Sequence, residues 1–162
     1  MTYDIRRLKK NEWDMAMQLA WDTFLVYEAP DYNSEGIKNF HEFVKGDELK
    51  NMFMLGEYYT LGAFDENDVI VGILGIRKHW HISLLFVEPA LHHQGIATGL
   101  LKRAFSDAAE EGIKEMTVFS APFAIEFYHK LGFTDLDDEK TADGIRYTPM
   151  KIELFCLLFS FC

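Results

Sequence analysis

Cysteine is nearly absent from this chain: only Cys156 and Cys162 occur, both within the last seven of its 162 residues. Such sparse use supplies no disulfide framework and points to a reducing, cytoplasmic setting. Basic charge is scarce too, with 16 Lys and Arg against 26 Asp and Glu, a formal net charge of −10. Affinity for nucleic acid comes largely from Lys and Arg on phosphates, so the balance argues against that partner. No apolar run approaches the roughly 20 residues of a membrane span, and residues 1–7 lack the apolar core of a signal peptide. No repeat, low-complexity stretch or linker interrupts the chain. Any anionic ligand must therefore be held by local donors against the global field, whereas a cationic substrate is steered by it.

What is present suits one globular domain: 49% of residues are hydrophobic and 15% aromatic. Residues 3–8 read as a first strand. Asn11 is placed to cap a helix with Trp13, Met17, Ala20, Trp21, Phe24 and Leu25 on one side. Pro30 ends it, and Ser34 is placed to cap a second helical region reaching residue 54 with a break at Gly46. Residues 58–64 and 69–76 are β-rich around the turn composition of residues 65–68. A strand at 81–87, a helix ending near Gly112, a strand at 115–120 and a helix at 123–131 follow. Strands near 133–136 and 145–152 close the series. This order predicts an α/β (α+β) fold, a mixed sheet of about seven strands flanked by helices. The domain spans 1–152, and an apolar tail, 153–162, has no assigned role.

The most informative stretch is residues 83–104. An apolar run stops at Pro89, and a polar turn leads through Gly95 into a helix with Ala97, Leu100, Leu101, Ala104, Phe105 and Ala108 at helical spacing. The first amides of a helix have no intrahelical partner, and the helix dipole adds partial positive charge there. Gly95 lets the main chain approach a ligand closely, so the turn looks like a pyrophosphate cradle.

Two segments resemble the GNAT superfamily of N-acetyltransferases. His92-His93-Gln94-Gly95-Ile96-Ala97 is similar to its acyl-CoA motif, Gln or Arg, two residues, Gly, one residue, then Gly or Ala, with His92 standing where Gln or Arg is usual. Residues 121–133 resemble the family's later motif, with Ala124 and Tyr128 four apart on one helix face and Gly132-Phe133 closing it. Residues 143–150 look like a small bacterial branch. The resemblance implies acetyl-CoA as acyl donor and a small-molecule amine as acceptor. His79 and His81 have metal-binding spacing but no third ligand, so no metal is expected; no membrane contact is expected either, and a possible homodimer contact falls to the apolar tail. A protein or peptide amino group, or a non-catalytic acyl-CoA-binding module, are the alternatives.

In that family the fourth and fifth strands splay apart, here 81–88 and 115–120, and the pantetheine arm lies between them. The resemblance puts its contacts at Phe86 and Val87, and the pyrophosphate on the turn from His92 and His93 through Gln94, Gly95, Ile96 and Ala97 to Thr98. Lys102, Arg103 and Lys130 are candidates for the adenosine 3′-phosphate, or solvated helix-face charges. Tyr128 would donate to the departing thiolate. His81 stands where some members carry a glutamate base. Its ordinary pKa of ~6.5 suits that role, and simple alternation puts it on one strand face with Ser83, Leu85 and Val87. A satisfied strand histidine, or deprotonation through water, are the other readings. The acceptor is expected beside Tyr27, Glu28, Asp31 and Tyr32, where carboxylates and aromatics together suit a protonated amine.

Overall fold

The computed structural model describes residues 2–154. Of the apolar tail, Glu153 and Leu154 are described and Leu154 is buried in the core; residues 155–162, Cys156 and Cys162 among them, lie outside the described residues. Strand β1 (Asp4–Arg7) is followed by helices α1 (Trp13–Tyr27), α2 (Ser34–Lys45) and α3 (Asp47–Met54). Strands β2 (Tyr59–Phe64), β3 (Ile70–Arg77) and β4 (His81–Val87) come next, then helix α4 (Ile96–Glu110), strand β5 (Glu115–Ser120) and helix α5 (Ile125–Leu131). Strands β6 (Thr134–Asp135), β7 (Lys140–Ala142) and β8 (Ile145–Glu153) complete the order. Among the described residues the sheet has eight strands, one more than expected. The short β7 pairs only with β8, and its Lys140-Thr141-Ala142 carries too little apolar pattern to read from sequence.

The strands run β1-β2-β3-β4-β5-β8-β6, antiparallel everywhere except between β4 and β5. Apolar residues on both faces require two coverings, and the helices divide accordingly. Helices α1, α2 and α3 bury Phe24, Val44 and Phe53 against Ile73, Leu84 and Phe86. Helices α4 and α5 bury Leu100, Leu101 and Tyr128 against Leu74, Val87 and Met150. Two caps differ from expectation. Asn11 sits within a 3-10 turn, Lys10–Glu12, where the Glu12 carboxylate accepts the Lys9 amide at 2.7 Å and pairs with Arg6 at 2.8 Å. Asn33, not Ser34, caps α2 by accepting the Gly36 amide at 2.9 Å.

Two irregularities in β4 position the site. Opposite β3, Gly75 faces Leu84 but Ile76 faces Ile82, so Ser83 is an extra, bulged residue. Its hydroxyl lies 2.6 Å from Tyr58 Oη and 3.3 Å from the Gly75 carbonyl. Against β5, only His81 with Thr117 and Ile82 with Val118 are paired. Beyond the bulge the two strands part, and β5 follows β8 along its whole length.

The Tyr58 phenol fills the space where residue 75 would carry a side chain: a Cβ there would lie 2.0 Å from Tyr58 Oη. Tyr58 is fully buried and has no room to retreat. Gly75→Ala is expected to lower unfolding stability by about 2 kcal/mol, as overpacking does. Urea titration checks it; unchanged stability would mean that the bulge is not wedged by Tyr58.

Candidate active site

The gap between β4 and β5 is an open sheet edge. In an antiparallel ladder, residues alternate between bonding the partner strand and pointing away from it. The Glu88 amide donates to the Val71 carbonyl at 2.8 Å, which fixes the phase of this alternation along β4. Phe86 therefore bonds β3, whereas the main-chain groups of Leu85 and Val87 face the gap. An extended polar chain laid there would find the partners of an added strand.

At the end of the gap the chain turns through Pro89–Leu91 to the start of α4. His93 and Gly95 both adopt positive φ, +66° and +81°. A Cβ on Gly95 would meet nothing within 4 Å, so conformation rather than space calls for glycine. The first helical bond runs from the Gly99 amide to the Gly95 carbonyl, leaving the amides of Ile96, Ala97 and Thr98 directed outward. His92 does not reach forward as a Gln or Arg would. Its Nε2 lies 2.8 Å from the Val87 carbonyl, and its ring stacks on Tyr27 at 4.6 Å. Gln94 accepts from Tyr3 Oη at 2.8 Å, which ties the turn to the chain's start.

This edge opens into a cleft of about 560 Å³ between Tyr27, Val87, Thr98 and Phe127. Thr23 Oγ1, buried at its wall, has no hydrogen-bond partner among the described residues. Exposed main chain, free helix-start amides and an orphaned hydroxyl fit a long, polar, phosphate-bearing ligand such as coenzyme A. Arg103 does not join them. It is held on Asp107 at 3.2 Å and on the Ile5 carbonyl at 3.3 Å, away from the turn. Lys102 and Lys130 are exposed.

A second cleft, of about 520 Å³, adjoins the first and shares Leu85, Phe86, Phe123, Ala124 and Tyr128 with it. Tyr128 is 4% exposed and packs between Phe127 and Phe133. Burial, aided by the nearby charge of Glu28, raises its phenol above the usual range, so it is present as a proton donor. Its Oη makes no hydrogen bond among the described residues.

Of the residues expected at the acceptor, Glu28 and Tyr32 line this second cleft. Tyr32 Oη donates to Glu28 Oε1 at 3.3 Å, and burial pushes the Glu28 carboxyl up to about 7. Asp31 lines neither cleft and lies 3.5 Å from Arg146, while Tyr27 belongs to the first cleft. The bulge at Ser83 corrects the expected strand face. His81 and Ser83 lie on the α2 side with Leu84 and Phe86, whereas Leu85 and Val87 face α4. His81 lines the second cleft, with Nδ1 2.8 Å from Thr117 Oγ1. Burial and the charge of Arg77 push its imidazole down to about 4, which makes it a weak base at neutral pH.

Sequence reasoning missed Phe40, Phe119, Phe123 and Tyr147 at this cleft. They come from four separate segments, so no local spacing could assemble them. It also missed the roof, the β7–β8 turn. Asp143 and Gly144 both take positive φ there, and Asn39 Nδ2 donates to the Asp143 carbonyl at 3.4 Å. The Gly144 carbonyl packs so closely on Gly36 that a Cβ at 36 would lie 2.6 Å from it.

A family model described as an acetyltransferase (GNAT) domain matches residues 28–154. No curated protein matches the chain significantly. Among solved structures, it is similar to the PaiA N-acetyltransferase of Thermoplasma acidophilum in complex with coenzyme A, at 22% identity over 94% of this chain and 99% of that one, with a TM-score of 0.79. A GCN5-related N-acetyltransferase of Rhodopseudomonas palustris is 20% identical over 94% and 96% of the two chains, with a TM-score of 0.80. An aminoglycoside 6′-N-acetyltransferase complexed with coenzyme A is 16% identical over 93% and 97%, with a TM-score of 0.66. At these identities the likeness shows a shared fold.

The roof contact yields its own test. A Cβ at 144 would lie 2.0 Å from Asn33 Oδ1, the atom that caps α2. Gly144→Ala is expected to speed hydrogen exchange at the Gly36 amide by about tenfold or more, with the amides of α4 unchanged. Equal protection in the variant would show that the hairpin does not bear on the α2 start.

Proposed function

The chain belongs to the GNAT acetyltransferase family and is an N-acetyltransferase, and from that premise we propose that it transfers the acetyl group of acetyl-CoA to a primary amine of a small molecule. The observation that carries this reading is the place of Tyr128, on the wall shared by a donor-type cleft and a second cleft holding a titratable carboxylate. A small acceptor fits better than a peptide, because the β7–β8 turn and Phe123 border the second cleft.

In this reading the main chain of Leu85 and Val87 lines up the pantetheine arm, with the Phe86 side chain at its wall. The amides from His93 to Thr98 take the pyrophosphate. The amine nitrogen attacks the thioester carbon directly: a C–N bond forms, the C–S bond breaks, and the Val87 N–H faces the developing oxyanion. The ammonium loses two protons overall. One leaves before attack so that the lone pair is free, and the other leaves as the amide forms. One proton ends on the thiol and one reaches solvent.

His81 and Glu28 are the candidates to take the first proton, and magnitudes separate them. Moving a proton from an amine near ~10.4 to a carboxyl at about 7 is uphill by about 5 kcal/mol, and to an imidazole at about 4 by about 9 kcal/mol. Glu28 is the proton acceptor in this account, and His81 is a wall residue held by Thr117. At the thiolate, an ordinary phenol near ~10 against a thiol near ~8.5 makes full transfer uphill by about 2 kcal/mol. Burial widens that gap, so Tyr128 acts by hydrogen-bonding the developing thiolate as the bond breaks.

Kinetics on three variants test the assignment. Tyr128→Phe is expected to slow thiol release about a hundredfold with affinity for acetyl-CoA unchanged. Glu28 works as a carboxylate and its carboxyl is raised, so kcat/KM climbs as pH rises through about 7. Glu28→Gln removes that limb, whereas His81→Ala keeps it. A protein that binds acetyl-CoA yet releases no thiol with any amine contradicts the transfer reading. Loss of the limb in His81→Ala alone would return the proton to His81.

A further inference from the structure

Resting on the amine-acceptor reading above, we propose that the acceptor is a monoamine with a flat aromatic body, an arylalkylamine in type, whose ammonium meets Glu28 while its ring lies against Phe119 and Tyr147. Three observations converge on it: the aromatic wall, the charge census of the cleft, and the exposure of its mouth.

The wall is continuous. His81 meets Phe119 edge-on at 4.5 Å between ring centres, and Phe119 lies tilted on Tyr147 at 4.5 Å. Helix α2 adds Phe40 and Phe43, and the turn after β5 adds Phe123. Such a wall offers a flat ring both stacked and edge-to-face partners. A hydroxylated sugar or a bare polyamine chain offers it little.

The charge census is low. Only Glu28 and Asp143 among the cleft's lining residues are acidic, and Arg77 opposes them. Asp31, close enough to Glu28 to act on its carboxyl, is paired with Arg146 at 3.5 Å. His81 adds no positive charge at neutral pH, being pushed down to about 4. A polycation held without paired carboxylates would leave its extra charges poorly compensated. One ammonium finds its counterpart in Glu28, with the ring of Tyr32 close by. The chain's net charge of −10 lies largely elsewhere, so global acidity is a poor guide to this pocket.

The mouth is apolar. Phe119 and Phe123 are 50% and 53% exposed, and both rings border the same cleft. An aromatic ligand entering there would cover them.

Calorimetry on the coenzyme A complex of the whole chain tests this directly, with 2-phenylethylamine, ethylamine, spermidine and an aminoglycoside as probes. 2-Phenylethylamine is expected to bind at least tenfold more tightly than each of the others. Phe119→Ala, exposed enough to leave the fold intact, should weaken it at least fivefold with ethylamine and coenzyme A binding unchanged; Phe123→Ala serves as the second variant. Tighter binding of spermidine or the aminoglycoside overturns the proposal, as does indifference of 2-phenylethylamine to both substitutions. Thiol release from acetyl-CoA is read separately. If 2-phenylethylamine binds as expected but no thiol appears, transfer fails and the ligand class stands. If only a polyamine or aminoglycoside is acetylated, transfer stands and the ligand class fails.

Discussion

Everything at the site depends on β4 leaving β5 after two paired residues. A parallel pair that continued to Val87 would close the edge and bury its main-chain groups in ladder bonds. The parting instead leaves the Leu85 N–H and C=O and the Val87 N–H facing a cleft, while the Val87 carbonyl is met by His92. Unpaired main-chain groups cost free energy unless water or a ligand takes their bonds. The bulge at Ser83 marks the place of departure, and Tyr58, pressed on Gly75, supports it. The same extra residue swaps the strand's faces, so that His81 looks toward the second cleft while Val87 looks toward α4. One irregularity thus separates a donor side from an acceptor side and leaves Tyr128 between them.

His92 shows how a departure from a motif can be absorbed. A forward-reaching Gln or Arg would add a side-chain donor at the turn. The imidazole instead reaches back to the Val87 carbonyl and lies on Tyr27. It links the strand that faces the donor, the turn that starts α4 and the end of α1. The amides of Ile96 to Thr98 keep their directions without it, because Gly95 sets the helix start through its own φ.

Much of this was legible in the sequence, and the legible part was local. The run from Ser83 to Ala104 carries its own punctuation in Pro89 and Gly95, and the helix of Tyr128 was expected from 123, although it starts at Ile125, after a 3-10 turn, Pro122–Ala124, that holds Ala124. The order of helices and strands followed from periodicity, apart from the three-residue β7. What escaped was non-local. The bulge is invisible in Ile82-Ser83-Leu84 because it is specified by Tyr58 and Gly75 across the sheet. The strand-face error at His81 follows from that. The titration of Glu28 depends on burial contributed by distant segments, so neither its value nor its advantage over His81 could be read from residues 27–32. The aromatic wall likewise joins β4, β5 and β8, and its roof depends on glycines 108 residues apart, Gly36 and Gly144.

The open edge of β4 is the central claim, and residue-resolved hydrogen exchange measures it directly. With acetyl-CoA bound, the amides of Leu85 and Val87 should gain about a hundredfold protection or more, while the Phe86 amide, already bonded to β3, changes little. Protection that appears at Phe86 instead, or at none of the three while acetyl-CoA is demonstrably bound, would contradict the account.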